Sequence, residues 1–306
     1  MKLDLQEIET FLRVVELGSV SQAAQRMGLS KSVVSKRLSD LEKHLATRLL
    51  HRSTRRVTPS DTGLQFYEQA RQALAQLTEA AETAASSESG LRGHLRLQAP
   101  MSFGTLWLAP LLAEFMAEQP ELRVDLQLDD RILDFEREGY DLCIRISRLG
   151  DSALIARRLA ASPRVLCCSP DYAARHGVPA SAAEIARHPG IGYSNVSTGQ
   201  VWTFRSPVGD GEPFSLAPQG RFTSNNGEIM CEMAVRGLGL AVLPRFIAQR
   251  ALDSGALREI DIGATPVDDD IYALYPRAGR GSRKVAALCD FLQARLASAP
   301  WLRDAT

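Results

Sequence analysis

The chain is 306 residues long, 45% hydrophobic, with 36 Lys and Arg balanced by 36 Asp and Glu. At roughly 100–200 residues per domain this is material for two domains or three small ones, and wholesale disorder is excluded. No run approaches the ~18 apolar residues of a membrane span, and Met1 to Glu9 holds Asp4, Glu7 and Glu9 with no apolar stretch, so no signal peptide, no membrane partner and a cytoplasmic location are expected.

The zero net charge conceals a basic head. Residues 1–60 hold eleven Lys and Arg and six acids, a net of +5, which leaves −5 for the rest. A polyanion partner and a merely solvated surface both fit that asymmetry. Leu5, Ile8, Phe11, Leu12 and Val15 recur at helical spacing. Gly18 ends that helix, and Ser19 or Ser21 caps a short second one to Met27, in which Ala23 and Ala24 permit close packing. Gly28 breaks the chain, and Ser30 caps a third helix to about Leu45, with Val33 or Val34, Leu38, Leu41 and Leu45 as its buried stripe. Lys31, Ser32, Ser35, Lys36 and Ser39 fall on the other side. Two helices joined by a tight glycine turn, the second offering short polar and basic side chains, form a helix-turn-helix. Small hydroxyls let the helix N-terminus approach a duplex closely, and Lys36 and Arg37 can reach phosphates or guanine. His51 to Val57, with Arg52, Arg55 and Arg56, reads as a basic hairpin, or wing, suited to the backbone or the minor groove. An ordinary three-helix packing unit is the alternative that periodicity leaves open.

Residues 59–89 read as one long helix with Pro59 in its first turn. Leu64, Tyr67, Ala70, Leu74, Leu77, Ala81 and Ala84 repeat as a packing seam does. About thirty residues would span ~45 Å. Such a stripe predicts a homodimer, with packing on the chain's own body as the alternative. Ser86 to Gly90 is a candidate hinge.

The remainder alternates strand and helix patterns. Strands are expected at Leu95 to Leu97, Leu122 to Leu128, Asp141 to Ile146, Val165 to Cys168, Ile191 to Tyr193, Ala241 to Leu243 and Ile271 to Tyr275. Helices are expected over Gly104 to Met116, near Glu184, over Glu228 to Val235 and over Val285 to Leu296. That alternation predicts a mostly parallel α/β sheet. Candidate crossings between two lobes lie at 162–169 and 264–270.

In open α/β sheets ligands sit beyond the carboxyl ends of strands, where helix N-termini point. Two segments have that grammar: Ala99 to Gly104, with Ser102 and Phe103, and Phe222 to Glu228, with Ser224 and Asn225. Each is equally well explained as a helix cap alone. Arg145 could fork onto a carboxylate or sit in a structural ion pair. Asp129 and Asp130 follow a strand and could simply start a turn, while Ser194, Asn195 and Trp202 are further candidates, the Trp as readily core as cleft. If Arg145 and the two helix N-termini converge, the ligand is a small organic or aromatic acid.

An enzyme is not expected. There is no GxxxxGK[ST], GxSxG, HExxH or GxGxxG, and the five His are scattered. The five Cys (Cys143, Cys167, Cys168, Cys231, Cys289) show no CxxC pair and no metal spacing, so reduced buried thiols are expected, with a redox pair at Cys167–Cys168 as a minor alternative and no cofactor or metal site.

The stretch from Leu5 to Gly63 resembles the DNA-binding region of LysR-type transcriptional regulators. The residues that carry it are Phe11-Leu12-Arg13-Val14-Val15, Gly18-Ser19, Ala23-Ala24, Leu29 through Leu38, Leu41-Glu42, Leu49, Arg52, Arg55-Arg56, Thr58 and Gly63. The likeness continues more weakly after Gly90, where Asp141-Leu142-Cys143-Ile144-Arg145 matches a subgroup's Asp-Leu-x-Ile-Arg. It implies an N-terminal winged helix-turn-helix at 1–58, a linker and dimerisation helix at 59–90, and a periplasmic-binding-protein-like, two-lobed (type 2) effector-binding domain at 91–306. Lobe I would be 92–163 with 270–306, and lobe II 164–269. It further implies base reading by Lys31 and Ser32, with Ser35 and Lys36 in the place of the family's Ser-Arg pair and Arg52 and Arg55 at its wing positions. Double-stranded operator DNA, a small-molecule effector and further copies of the chain, as dimer or tetramer, are the implied partners, with RNA polymerase left open. Ala46 stands where the family often has Gly, Leu50 replaces a common Phe, and Lys31 replaces a usual Gln, which would alter operator preference. A free-standing solute-binding protein is the runner-up; it would leave the basic head unexplained.

Overall fold

The computed structural model describes residues 3–52, 57–85, 90–131, 139–147, 154–195, 201–206, 212–276 and 282–302. The chain folds as two compact units, one built on Met1–Ser89 and one on Gly90–Phe135 with Tyr140–Thr306.

The first unit runs α1 (Leu5–Leu17), α2 (Val20–Met27), α3 (Lys31–His44), β1 (Leu50–Arg52), β2 (Val57–Pro59) and α4 (Asp61–Ala85). Side-chain oxygens cap the first three helices: Asp4 accepts from the Gln6 amide at 2.8 Å, Ser19 from Gln22 at 3.4 Å and Ser30 from Val33 at 3.3 Å. Such caps stabilise a helix by about 1 kcal/mol each. Gly18 and Gly28 end α1 and α2 with φ of 60° and 65°. That left-handed region costs a residue with a β-carbon about 1–2 kcal/mol. Phe11, Val14, Ala23, Val34, Leu38 and Leu41 close the core. Of the two valines that are alternatives for the stripe, Val34 is buried and Val33 is 38% exposed.

The turn after α3 also passes through the left-handed region, at Ala46, with φ 50°. The Ala46 amide donates to the Lys43 carbonyl at 3.2 Å and the Thr47 amide to the Glu42 carbonyl at 3.1 Å. These bonds hold alanine in the conformation that glycine adopts freely. Pro59 does not open α4. It ends β2, opposite Leu50, and a strand end is where a residue without an amide donor is tolerated. Ser60 caps α4 instead, its Oγ accepting from the Gly63 amide at 3.0 Å. The 25 residues of α4 give it a length of ~37 Å rather than the expected ~45 Å. Its seam divides: Tyr67, Ala70 and Leu74 pack on the three-helix core, while Leu64 and Leu77 are exposed. The side chains of Ala81 and Ala84 lie outside the described residues.

The second unit runs β3 (Arg92–Ala99), α5 (Met101–Phe103), α6 (Ala109–Glu118), β4 (Glu121–Leu128), β5 (Leu142–Ser147), β6 (Ile155–Ser162), β7 (Arg164–Cys168), α7 (Pro170–His176), β8 (Ile191–Tyr193), β9 (Trp202–Arg205), β10 (Pro213–Leu216), β11 (Phe222–Ser224), α8 (Gly227–Val235), β12 (Ala241–Pro244), α9 (Arg245–Asp253), β13 (Arg258–Glu259), β14 (Thr265–Pro266), β15 (Asp269–Tyr275) and α10 (Arg283–Leu296). A π-helical turn over Gly104–Leu108 joins α5 to α6, so the helix expected at 104–116 begins earlier and carries a bulge.

Lobe I is a sheet in the order β4-β3-β5-β15-β6, and lobe II holds three smaller ones, β12-β7-β13, β10-β9-β14 and β11-β8. The mostly parallel sheet expected from the sequence is corrected. In lobe I, β3 is parallel to β4 and β5, but β15 is antiparallel to β5 and β6. In lobe II only β8 and β11 pair in parallel as strands. The physical reason is connectivity: β15 re-enters lobe I from lobe II with no helical crossover, which a parallel neighbour would require. Strands β6 and β7 are separated by Pro163 alone, and β14 and β15 by Val267 and Asp268, so those are the two crossings. They are tied together by the Arg164 amide, which donates to Asp268 at 2.9 Å.

Leu95, Leu97, Leu142, Ile144, Leu288 and Trp301 lie in the core of lobe I, and Phe246 from α9 packs among them. Trp107 Nε1 donates to the Phe246 carbonyl at 3.1 Å. The lobes therefore share an aromatic seam. Among the described residues no helix is long and apolar enough to cross a membrane.

Candidate nucleic-acid interface and effector cleft

The first half of α3 presents Lys31, Ser32, Val33 and Lys36 to solvent, with Ser35 half-buried. The Oγ atoms of Ser30 and Ser32 lie 2.8 Å apart and share a hydrogen. No acid sits in the first turn, so the positive end of the helix dipole and two lysines combine without an internal anion. Arg37 is placed differently from the expectation. Its Nη2 donates to Gln6 Oε1 at 2.6 Å and its Nη1 to Thr10 Oγ1 at 3.4 Å. The guanidinium braces α3 against α1 and is corrected from a DNA contact to a strut, because Gln6 and Thr10 of α1 stand within its reach.

The wing is held from α3. Glu42 Oε1 accepts from the Leu49 and Leu50 amides at 2.9 and 3.2 Å, and the Val57 amide donates to the Gly18 carbonyl at 3.1 Å. Arg52 ends β1 opposite Val57. Its side chain, with Arg55 and Arg56, lies outside the described residues.

In the second unit the carboxyl ends of β3, β4 and β5 share one edge of lobe I, and those of β8 and β11 share an edge of lobe II. Ser102 follows β3 and is 5% exposed. Its Oγ would lie 3.7 Å from a β-carbon at Gly227, the first residue of α8. That β-carbon would stand 2.4 Å from Ile247 Cδ1, so a side chain there would have to displace the end of Ile247. Asn226 caps α8, its Oδ1 accepting from the Ile229 amide at 2.9 Å, and its Nδ2 reaches Met101 Sδ at 3.3 Å across the lobes. Ser224 Oγ accepts from the Asn226 amide at 3.1 Å, the Ser194 amide donates to the Ser224 carbonyl at 3.0 Å, and Asn225 is exposed.

Three polar atoms here are buried without a hydrogen-bond partner among the described residues: Ser102 Oγ, Arg145 Nη1 and Asn195 Nδ2. A buried polar atom left unpaired costs about 1–3 kcal/mol. Acids face them. Hydrogen bonds from Arg131 hold Asp129 below the usual carboxylate range. Burial, with help from Asp129, pushes Asp130 up against the pull of the Met101 amide and Arg145. Burial and the Asp130 charge push Tyr193 up. Asp130 Oδ1 already accepts from the Met101 amide at 3.0 Å, so that donor at the start of α5 is taken.

Two predicted cleft residues are corrected. Phe103 is fully buried and meets Phe246 edge to face at 5.6 Å. Trp202 is 6% exposed and belongs to the lobe II core with Phe204 and Leu240. Both large apolar rings gain more from core burial than from a polar cleft. Sequence reasoning chose Ser224 and Asn225 where the cap and the contact across the lobes fall to Asn226. The signal was there: Asn immediately before Gly227 and three residues before Ile229 is an N-cap.

All five cysteines are free. Burial pushes Cys143 up to about 12, Cys231 and Cys289 to about 11, and Cys167 and Cys168 upward too. Thiols so shifted supply no thiolate at neutral pH.

A winged helix-turn-helix joined to a two-lobed α/β unit is the build of a ligand-responsive DNA-binding regulator. Residues 88–297 match the LysR substrate binding domain, and residues 5–64 match the bacterial regulatory helix-turn-helix protein, lysR family. An uncharacterized HTH-type transcriptional regulator of Haemophilus influenzae is 35% identical over 272 residues, covering 89% of this chain and 93% of that one. CrgA, a LysR-type transcriptional regulator from Neisseria meningitidis, matches in structure with a TM-score of 0.61 at 27% identity, over 96% of this chain and 99% of that one. The Vibrio cholerae virulence activator AphB matches with a TM-score of 0.60 at 25% identity, over 95% and 99% of the two chains. The chain belongs to the LysR family of transcriptional regulators and is a DNA-binding regulator, not an enzyme.

Proposed function

We propose that this regulator is a cytoplasmic oligomer in which a small organic or aromatic acid, held between the lobes, biases operator binding by the basic head. The observation that carries the ligand class is the set of three unpaired buried atoms, of which Ser102 Oγ and Arg145 Nη1 suit a carboxylate and Asn195 Nδ2 adds a third donor. Lys31, Ser32, Ser35 and Lys36 supply the groove contacts and Arg52, Arg55 and Arg56 the wing contacts. The exposed Leu64 and Leu77 on α4 support pairing of two chains. Two heads would then occupy half-sites ~34–36 Å apart. The acid acts only through unequal affinity for two arrangements of the assembly, and a coupling of ~1–3 kcal/mol changes operator affinity about 5–150-fold.

Thermal-shift titration of the whole protein with benzoate, succinate and benzenesulfonate, against benzamide and benzylamine, tests this reading. Stabilisation by anions only is expected, together with its loss in Ser102→Ala at unchanged operator affinity. For benzenesulfonate, which stays ionised, binding should strengthen as the pH falls. An anion beside Asp130 favours the protonated carboxyl that burial already favours, so binding takes up a proton. A response confined to the neutral or cationic probes defeats the proposal.

A further inference from the structure

The groove-facing arc of α3 carries one side chain that neither core packing nor charge explains. Val33 is 38% exposed and is absent from the residues that close or flank the head core, where Val34 takes the buried place. It stands one residue from Ser32 and one helical turn from Lys36, both exposed. Its other neighbour along the turn, Arg37, is drawn away to Gln6 and Thr10 on α1, so no long side chain folds over it from that position. The result is a β-branched apolar patch, fixed at χ1 by its helix, flanked on the exposed arc by Ser32 and Lys36. On a duplex, phosphates answer lysines and base-edge acceptors answer hydroxyls. The apolar feature of the major groove is the C5-methyl of thymine.

We infer that Val33 reads a thymine methyl in each operator half-site, so that this regulator selects thymine at one position by apolar contact. The inference rests on the proposed DNA contacts of α3 and adds one specificity-determining residue to them. Occupation of Val33 by a second copy of the chain is the competing account. A symmetric pairing through this arc is disfavoured because it would bring the Lys36 charges and the positive N-terminal ends of two α3 helices together.

The test uses the full-length protein and a duplex enriched from a random pool by repeated binding. Each thymine of that duplex is replaced in turn by uracil, which removes the methyl and keeps every hydrogen bond. At one thymine per half-site, wild type should lose about fourfold in affinity, the worth of one buried methyl. Val33→Ala, which loses the contact at both half-sites, should bind the parent duplex about sixteenfold more weakly and show no further loss on that uracil duplex. Val33 is exposed, so the alanine variant keeps the core, and an unchanged melting temperature checks this. Methyl removal without effect at every thymine, or full uracil sensitivity persisting in Val33→Ala, overturns the inference while sequence-selective binding stands. If no duplex is enriched, the proposed DNA contacts fall and this inference falls with them.

Discussion

Ala46 holds a left-handed backbone with a β-carbon attached, at φ 50°. The carbonyls of Lys43 and Glu42 keep it there, because releasing it would leave both without their partners at the end of α3. The strain is offset by those bonds and by the seating of the chain that follows into β1. Glycine at this position removes the steric cost but adds conformational freedom to the unfolded chain. The first effect exceeds the second, so Ala46→Gly should stabilise the protein by about 0.5–1 kcal/mol. A rise in the urea midpoint at unchanged slope is the expected reading, and a fall would show that alanine is not strained there.

At the scale of the element, the recognition helix and the wing are one device joined by Glu42. Its carboxylate accepts from two successive amides, those of Leu49 and Leu50, at the start of β1. Charge-assisted bonds of this kind contribute about 1.5–3 kcal/mol each when their loss leaves a donor unpaired. Glu42→Ala should therefore lower stability by about 3 kcal/mol or more. It should also weaken operator binding even at temperatures where the variant is fully folded, since Arg52 ends the strand that Glu42 positions. Glu42→Gln, which keeps an acceptor oxygen, should recover most of both. Comparing operator affinity of the two variants well below their melting temperatures separates positioning from stability. Equal DNA binding by Glu42→Ala and wild type would remove Glu42 from the interface.

Taken whole, the molecule separates its charges and its tasks. The first sixty positions carry a net +5 and the remainder a compensating −5. Binding to a duplex should weaken steeply with salt because each neutralised phosphate releases counterions. Lys36→Ala should lower the slope of log affinity against log salt by about 0.9 for each head bound, the loss of one phosphate contact. An unchanged slope would move Lys36 off the backbone. The two-lobed unit offers the other half of the switch: two crossings tied by Arg164 and Asp268, an aromatic seam around Phe246, and unpaired polar atoms between strand ends. Under the proposed function, a ligand that satisfied those atoms would favour the arrangement that brings them together.

Much of the head was legible from the chain alone. Its helices are local structures, written in 3.6-residue periodicity and in caps such as Ser30 and Gly28, and those signals act over a few residues. The basic groove face followed directly, since side-chain charge needs no tertiary contact to be read. What periodicity left open was decided by packing. Whether Val33 or Val34 is buried depends on where α1 and α2 lie against α3, and Arg37 left the DNA face only because Gln6 and Thr10 stood within its reach. In the second unit, the direction of β15, the burial of Phe103 and the meeting of Ser102 with Gly227 depend on partners more than a hundred residues away, and the burial of Trp202 depends on residues such as Leu166 and Ile262 that other strands of lobe II bring to it. Sequence spacing carries the chemistry of each residue and its local fold; only the folded chain decides which distant groups share one place, because that is set by the close packing of the whole core.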